Sequence, residues 1–284
     1  MNKLFVDRLT VIDFSYFDAQ RGILGESWIV DLMLEGELDE QGMVFDFGHV
    51  KKQIKELIDL EFDHRFVISS STKDLEVNEE QGRTTLAWTN RAGCYQHASP
   101  SEAVVILECK RINTKTVSAY LETMLRRTLP SNVTDVKLSL YEEAIEGAYY
   151  HYSHGLKKHD GNCQRIVHGH RSKIEIFENH QRSETLEDYW AACFRNSYIA
   201  TRDDLQEELD LEAKKHLRFS YTSQQGEFSL TMPAKRVYLL DSDSTVELIA
   251  QHIAQKSAEL HPNNHFLVKA YEGVGKGSIA EARV

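Results

Sequence analysis

The first half of the chain alternates between strand-like and helix-like patterns of apolar residues. Residues 3–16 and 27–36 alternate with the two-residue period of a half-buried strand, which predicts a hairpin. In residues 49–60 the apolar positions recur every three or four residues, which predicts an amphipathic helix. The Ser-Pro-Ser-Glu at 99–102 resembles a capping box with proline at the first helical position, so we expect a second helix there. Residues 136–143 predict a strand that closes this half.

The same order of elements returns in the second half. Residues 148–154 and 172–178 predict two strands, and residues 203–216 predict a helix. A second capping box, Ser-Thr-Val-Glu at 244–247, predicts the start of another helix, and residues 266–273 predict a final strand. Each half therefore follows the order strand, strand, helix, helix, strand.

The two halves also agree in detail, because a Tyr-Glu pair lies near the end of each, at Glu142 and Glu272. We interpret the chain as a tandem duplication with units at 1–147 and 148–284. The predicted fold class is α+β with antiparallel sheets.

Composition narrows the class of protein. Hydrophobic residues make up 41% and charged residues 27% of the 284 positions, which is typical of a globular protein. No run approaches the roughly 18 apolar residues of a membrane helix, and the first residues lack the pattern of a signal peptide, so we expect a cytoplasmic protein. The net charge of −11 argues against nucleic-acid binding. Four widely and irregularly spaced cysteines do not suggest a disulfide framework.

The sequence His-Gly-His is the first candidate for chemistry. His168 and His170 are two residues apart, so on a strand they face the same side, about 6.5–7 Å apart at Cα. His154, at the end of the preceding predicted strand, can supply a third nitrogen across the hairpin. Three histidines leave one position of a tetrahedral zinc ion open, which is the catalytic pattern rather than the structural one. We therefore predict a Zn²⁺ site.

Cys163 lies five residues before the first histidine of that pair, among polar and charged neighbours. Nearby cations favour the thiolate, which can act as a base or a nucleophile. Five basic residues close to the histidines in sequence are enough to hold a small polyanion, although alone they are more typical of solvated loop charges: Lys157, Lys158, Arg165, Arg171 and Lys173.

The sequence resembles the 6-pyruvoyl-tetrahydropterin and 6-carboxytetrahydropterin synthase family in three motifs. These are Tyr-x-Tyr-Ser-His, Cys-x4-His-Gly-His and the late Tyr-Glu. The resemblance covers both halves, each of which matches part of the pattern. It implies the tunnelling fold, in which four-stranded antiparallel sheets with two helices on one face assemble into barrels. It also implies that three histidines bind zinc and a cysteine accepts a proton. A histidine oriented by an aspartate would relay protons, and a late glutamate would anchor the pterin ring. In the family the site lies between subunits.

The first half departs from the metal pattern. Its residues at the ligand positions, as we align the halves, are Asp18, Leu24 and Glu26. We therefore expect no zinc site there, and about one zinc ion per chain.

The Asp-His pair of the proton relay is present in the first half and incomplete in the second, the reverse of the zinc ligands. The first half has Asp63-His64, which resembles the family's relay, and it has Glu142. The second half reads Lys-Lys-His at 214–216, where the aspartate is missing. The resemblance thus implies one complete site, with zinc and Cys163 from the second half, and with Asp63, His64 and Glu142 from the first.

These assignments give a hypothesis for function. The chain would be a zinc-dependent lyase acting on 7,8-dihydroneopterin triphosphate, giving either the pyruvoyl product or the carboxy product of queuosine biosynthesis. The alternative is a non-catalytic pterin or purine binder. A zinc hydrolase of another kind would need a general base, and Asp160 is the one acid near the ligands. We expect a homo-oligomer, since a trimer or hexamer of such chains follows from the family's assembly, without nucleic-acid or membrane partners.

Overall fold

The computed structural model describes residues 2–283, which form three sheets and four α-helices. The helices are α1 (Phe47–Glu61), α2 (Thr114–Leu125), α3 (Glu184–Phe194) and α4 (Val246–Leu260). The strands are β1 (Asn2–Asp18), β2 (Gly22–Gly36), β3 (Phe66–Ser69), β4 (Glu76–Glu80), β5 (Arg83–Asn90), β6 (Gly93–Pro100), β7 (Val104–Leu107), β8 (Val133–Glu142), β9 (Tyr149–His154), β10 (His168–Glu178), β11 (Gln181–Arg182), β12 (Ser197–Thr201), β13 (Leu205–Leu211), β14 (Lys214–Ser223), β15 (Gly226–Pro233), β16 (Val237–Leu240), β17 (His265–Tyr271) and β18 (Gly277–Arg283). None of the helices in this range is long and apolar enough to cross a membrane.

The first sheet has the order β7–β3–β1–β2–β8. Strands β1, β2 and β8 are antiparallel, as the hairpin pattern predicts, and the short strands β3 and β7 extend the sheet in parallel. Helices α1 and α2 bury one face each in a common core with this sheet, through residues such as Ile54 and Leu121. The pattern at 49–60 corresponds to α1, whose first turn is capped by Asp46, which accepts from the backbone N–H of His49.

The second sheet repeats this plan in the order β16–β12–β9–β10–β17–β18. Strands β9, β10, β17 and β18 give the four antiparallel strands expected of one unit, and β12 and β16 again add in parallel. Helices α3 and α4 share a core with it, in which Trp190 donates from Nε1 to Ser257 Oγ at 3.0 Å. The predicted α+β class and the tandem repeat are confirmed.

The helix predicted at 99–102 is wrong. Pro100 ends strand β6, and residues Ser101–Ala103 form one turn of 3-10 helix before strand β7. Helix α2 instead begins after Asn113, whose side chain accepts from the N–H groups of Lys115 and Thr116 in a true capping box. The following apolar run, Val-Val-Ile-Leu, enters the sheet, so the proline precedes a strand rather than a helix.

The helix predicted at 203–216 is also wrong, since this segment forms most of the β13–β14 hairpin. Leucine, glutamate and lysine favour a helix locally, but strand pairing in the third sheet outweighs that propensity. The tight turn uses Glu212 and Ala213, both with positive φ (50° and 58°), as a two-residue hairpin turn requires.

The third sheet, of order β13–β14–β15–β6–β5–β4, contains strands from both units. Strand β15 pairs with β6 in antiparallel register, Ser229 opposite Ala98. A third core between this sheet and the other two contains residues of both halves, including Trp88, Tyr198 and Phe228. The two units are therefore joined by backbone pairing as well as by the chain.

The two hairpins β1–β2 and β9–β10 cross closely at two glycines. A Cβ atom on Gly25 would lie 1.7 Å from the carbonyl oxygen of Tyr152, and a Cβ atom on Gly169 would lie 2.7 Å from the Cα of Gly25. Beside them the hydroxyls of Ser15 and Ser153 are hydrogen-bonded at 2.7 Å. Only glycine permits this approach, which brings the first unit against the histidine-bearing strands of the second.

Candidate active site and metal centre

The histidine cluster lies where β9 meets β10. His154 ends one strand, His168 begins the other, and the two are direct partners in the antiparallel register. His170 is two residues further along β10 and faces the same side. All three are buried, and one ring nitrogen of each lies within 4.8 Å of those of the other two. The structure thus brings together the three histidines that the sequence grouped.

Two of the three rings are held by backbone carbonyls. Nδ1 of His154 lies 2.8 Å from the carbonyl oxygen of Ser244, just before helix α4. Nδ1 of His168 lies 2.9 Å from the carbonyl oxygen of Arg165. An N–H at Nδ1 leaves the lone pair on Nε2, which is the tautomer that binds metals through Nε2. Burial, with the neighbouring histidines, lowers the pKa of both rings well below the ordinary value, so both are neutral.

The donor set fits a metal ion. Nε2 of His154, His168 and His170 is buried in each case and has no hydrogen-bond partner within residues 2–283. Buried polar atoms normally have partners, and three unpartnered nitrogens so close together need one. A metal cation bound by the three imidazoles would supply it.

Cys163 borders this cluster. It lies in a single turn of 3-10 helix, Gly161–Gln164, within the loop between β9 and β10. Its carbonyl oxygen accepts from the N–H of Leu156 at 3.0 Å, which closes the loop. Cys163 is half-buried, and its sulfur is within 4.8 Å of ring nitrogens of His64 and His168. The thiol is therefore placed to exchange a proton with a histidine that comes from the first unit.

That histidine is held by the residues around the end of α1. His64 has φ 55°, its N–H donates to the carbonyl oxygen of Asp13 at 2.7 Å, and its Nδ1 is hydrogen-bonded to the carboxylate of Asp63. The carboxylate of Asp63 also accepts from the N–H of Asp13 at 2.8 Å. The His64 ring lies 5.1 Å from that of His168, centroid to centroid. Within one chain, the first unit thus extends Asp63 and His64 to the histidines of the second.

The electrostatics of His64 suit a proton carrier. Burial lowers its pKa, but the hydrogen bonds to Asp63 and Cys163 and the charges of those groups outweigh burial. The net result is a pKa well above the ordinary value for histidine. The imidazolium form is therefore favoured beside the thiol.

The two late glutamates lie in different surroundings. Glu272 Oε1 is 3.9 Å from Nε2 of His170, so this carboxylate borders the histidine cluster. Glu142 is paired across the sheet with Trp28 and lies 3.5 Å from the guanidinium of Arg171. Within one chain Glu142 does not border the histidines, because it ends β8, which pairs with β2 in the sheet of the first unit.

The internal repeat also corrects the alignment of the halves. Ser15 and Ser153 are equivalent, since each pairs with the glycine of its own hairpin and each adjoins the short parallel strand of its own sheet. Tyr16, and not Asp18, therefore corresponds to His154. The sequence alignment was displaced by two residues at this strand.

The other two positions are as predicted, because Leu24 and Glu26 correspond to His168 and His170 in the same register. At the three ligand positions the first unit thus has the phenol of Tyr16, the alkyl side chain of Leu24 and the carboxyl group of Glu26. These groups cannot form a three-nitrogen metal centre.

The relay position of the second unit was also misplaced. His216 lies on β14, is buried, and accepts from the N–H of Cys94 through Nε2 at 2.9 Å. The residue equivalent to His64 is Asn196, which directly precedes the parallel strand β12 and has nearly the same φ, 53°. Asparagine keeps the left-handed backbone conformation and cannot carry a proton as imidazole does.

The basic residues near the histidines do not form a free cationic cluster. Four of them contact carboxylates: Lys157 with Asp204, Lys158 with Asp243, Arg171 with Glu142, and Lys173 with Glu143. The fifth, Arg165, is buried and lies 3.4 Å from the carbonyl oxygen of Asp63. The expectation of a polyanion site there is not supported.

Glu26 gives the first unit a titratable group in its buried hairpin. It is 2% exposed, and burial, with the charge of Glu142, raises its pKa to about 8.

Unfolded Glu26 releases its proton near 4.5, so the free energy of unfolding of the wild type should fall between about pH 4.5 and 8. We expect Glu26→Gln to remove up to about 4 kcal/mol of that decline, at about 1.4 kcal/mol per pKa unit. Urea unfolding at pH 5 and pH 8 measures it. Parallel curves for wild type, Glu26→Gln and the exposed control Glu40→Gln would contradict the assignment.

Three residues of the site escaped the sequence analysis: Asp13, Ser244 and Lys276. Asp13 contacts His170, Ser244 contacts His154, and the ammonium of Lys276 lies 3.1 Å from Asp13. Ser244 acts through its carbonyl, which no side-chain pattern reveals. Asp13 alternates with Ile12 and Phe14, which face the first core, so it occupies the face of β1 where a polar residue is ordinary and no local signal marks it.

Each half of the sequence is similar to one known protein family. The sequence matches the family described as 6-pyruvoyl tetrahydropterin synthase twice, over residues 14–151 and 145–281. A putative 6-carboxy-5,6,7,8-tetrahydropterin synthase of Pyrococcus horikoshii is 26% identical over 132 residues, 46% of this chain and 76% of the relative. Its counterpart in Pyrococcus abyssi is 22% identical over the same shares. The 6-pyruvoyl tetrahydropterin synthase structure of Plasmodium vivax, at 19% identity, aligns with a TM-score of 0.41 over 51% of this chain and 93% of its own. Since the two matches together span nearly the whole sequence, the chain belongs to the 6-pyruvoyl tetrahydropterin synthase family, as a tandem pair of units.

Proposed function

We propose that the protein is a zinc-dependent lyase of the 6-pyruvoyl or 6-carboxy tetrahydropterin synthase type, acting on 7,8-dihydroneopterin triphosphate. One observation carries the proposal: His64 of the first unit lies against Cys163 and His168 of the second. Family membership supplies the reaction class, and the relatives named above are tetrahydropterin synthases. The proposed boundary between the units is residue 147.

The metal ligands in this proposal are His154, His168 and His170. Their buried rings and unpartnered Nε2 atoms support a tightly held Zn²⁺, and the lowered pKa values of His154 and His168 keep those two rings neutral. When bound, zinc supplies a Lewis acid that polarises oxygen atoms of the substrate side chain. The chain's own residues then orient the substrate and move its protons.

Proton transfer falls to two groups on either side of the site. Cys163 would remove a proton from the substrate side chain, since its sulfur borders the cluster and is partly accessible. His64 would carry protons to and from that thiol, and Asp63 fixes its tautomer by accepting from Nδ1. The sulfur lies within 4.8 Å of a ring nitrogen of His64, so the exchange would be direct or through one water molecule.

The anchor for the pterin ring is Glu272 in this proposal rather than Glu142. A carboxylate accepts two hydrogen bonds from an amidine-like edge, and Glu272 is the late glutamate beside the histidines. Lys276 lies on the same loop between β17 and β18 and contacts Asp13 at 3.1 Å.

The experiment that tests the function is incubation of the zinc-loaded protein with 7,8-dihydroneopterin triphosphate, followed by mass analysis of the product. Release of triphosphate alone gives the pyruvoyl product, and loss of acetaldehyde as well gives the carboxy product of the queuosine route. Unchanged substrate in the presence of bound ligand would favour the non-catalytic binder.

Metal content is a separate prediction. We expect about one zinc ion per chain, because the first unit offers Tyr16, Leu24 and Glu26 at the ligand positions. Elemental analysis of protein dialysed against metal-free buffer measures it. A ratio near two would mean that a second group of ligands exists and would contradict the division between the units.

Assembly and location belong to the same proposal. Three chains supply six units, so we propose a trimer or a hexamer of two-unit chains with a cytoplasmic location. Light scattering of the purified protein decides the assembly.

A further inference from the structure

Asp13 lies at the point where the two units meet the histidine cluster. It is on β1 of the first unit and is 3% exposed. Its Oδ1 accepts from the hydroxyl of Ser27 at 2.5 Å and lies 3.2 Å from Nδ1 of His170. Its Oδ2 lies 3.1 Å from the ammonium of Lys276. Both carboxylate oxygens are thus occupied by groups around the site.

The backbone of the same residue holds the proton relay. Its N–H donates to Asp63 at 2.8 Å, and its carbonyl accepts from the N–H of His64 at 2.7 Å. One residue therefore contacts the relay through its main chain and a histidine of the cluster through its side chain. Movement of β1 would displace both together.

The contact with His170 differs from those of the other two histidines. Nδ1 of His154 and of His168 is bonded to a neutral carbonyl of the second unit. Nδ1 of His170 has no well-aligned hydrogen bond, and its near neighbour is a carboxylate of the other unit. At 3.2 Å this contact is an electrostatic one. A carboxylate behind a ligating imidazole orients the ring and increases its basicity, and it offsets charge that a dication brings into a buried site.

We infer that Asp13 is a positioning residue, supplied by the first unit, that sets the metal affinity of the second unit by orienting His170. The inference rests on the proposed function, because it assumes that the three histidines bind the metal. It gives the first unit a part in the metal centre although that unit has no ligand of its own.

The test is the affinity of the full-length protein for zinc alone, measured by competition with a chromophoric chelator. We expect Asp13→Asn to bind zinc about 10- to 100-fold more weakly than wild type, as is typical when the partner of a ligating histidine is removed. Asp7→Asn, which neutralises an exposed acid on the same strand, is the matched control and should bind as wild type does. The visible spectrum of the cobalt-substituted protein should change in Asp13→Asn and not in Asp7→Asn, because it reports ligand geometry and not overall stability.

Ser27→Ala is the second variant, and it decides the matter if Asp13→Asn does not fold. It removes the hydroxyl that holds the carboxylate, so we expect a smaller loss of affinity in the same direction. Wild-type affinity and an unchanged cobalt spectrum in the folded variants would overturn the inference. If wild-type protein itself bound no zinc, the proposed function would fail instead, so the two failures are distinguishable.

Discussion

Replacing Cys163 with alanine is expected to abolish turnover while zinc remains bound at about one ion per chain. The thiol is the proposed proton acceptor, and removing a positioned base costs about 10²- to 10⁴-fold in rate. Zinc should remain because the three histidines supply the ligands without the sulfur. Single-turnover product formation and elemental analysis of the same sample measure the two outcomes.

The same variant separates two arrangements of the metal. Cys163, His64 and His168 also lie within 4.8 Å of one another and could share an ion. Loss of zinc in Cys163→Ala would show that the thiol is a ligand, and undiminished activity would remove it from the mechanism. Cys193→Ala, on helix α3 of the same unit, is the control and should retain both activity and metal.

Replacing His64 with alanine is the second change with a large expected effect. We expect kcat to fall by at least about 10²-fold with zinc content unchanged, because the relay is lost and the ligands are intact. Steady-state rates with 7,8-dihydroneopterin triphosphate measure it. His49→Ala, an exposed histidine on helix α1, is the control. Wild-type rates in His64→Ala would disprove the role of the first unit.

Mixing the two inactive variants tests where the site is completed. The structure brings His64 to Cys163 within one chain, so refolding His64→Ala together with Cys163→Ala should restore no activity. A site shared between chains would regain a fraction of it, since some interfaces would combine the intact relay with the intact thiol. The result distinguishes a fused site from the intersubunit site that the family resemblance implies.

The sequence was sufficient for the features that depend on local periodicity. The three histidines were found because two of them lie at i and i+2 on a strand and the third ends its neighbour. The hairpins, α1 and the start of α4 follow from alternation, an apolar helical face and a capping residue, which is Thr245 in the structure. These patterns act over a few residues and survive without knowledge of the tertiary fold.

Features that depend on pairing between distant segments could not be predicted from the sequence. The segment at 203–216 has good helix formers, yet it is a hairpin because partners from the first unit complete its sheet. The choice of Asp18 over Tyr16 was a slip of two residues, and a slip of two leaves the inward and outward faces of a strand unchanged. Hydrophobic patterning therefore cannot detect such an error, whereas the hydrogen-bond register does.

The positions of the two late glutamates show a further limit. Glu142 and Glu272 end equivalent strands and are indistinguishable by local sequence. Glu272 lies beside the histidines because β17 pairs with β10, which carries two of them, whereas Glu142 is paired with Trp28 on β2. Strand pairing, and not the local Tyr-Glu pattern, therefore distinguishes the two.

The pairing of β15 with β6 has a consequence for dilute conditions. In an assembly of single units, a site built from two subunits is lost when the subunits dissociate, so its occupancy depends on protein concentration. Here the relay and the histidines are tethered by the chain and by a shared sheet, which gives each an effective concentration that dilution does not change. If the proposed site is correct, an equilibrium between subunits is thus replaced by an intramolecular contact, and the occupancy of the site does not depend on protein concentration.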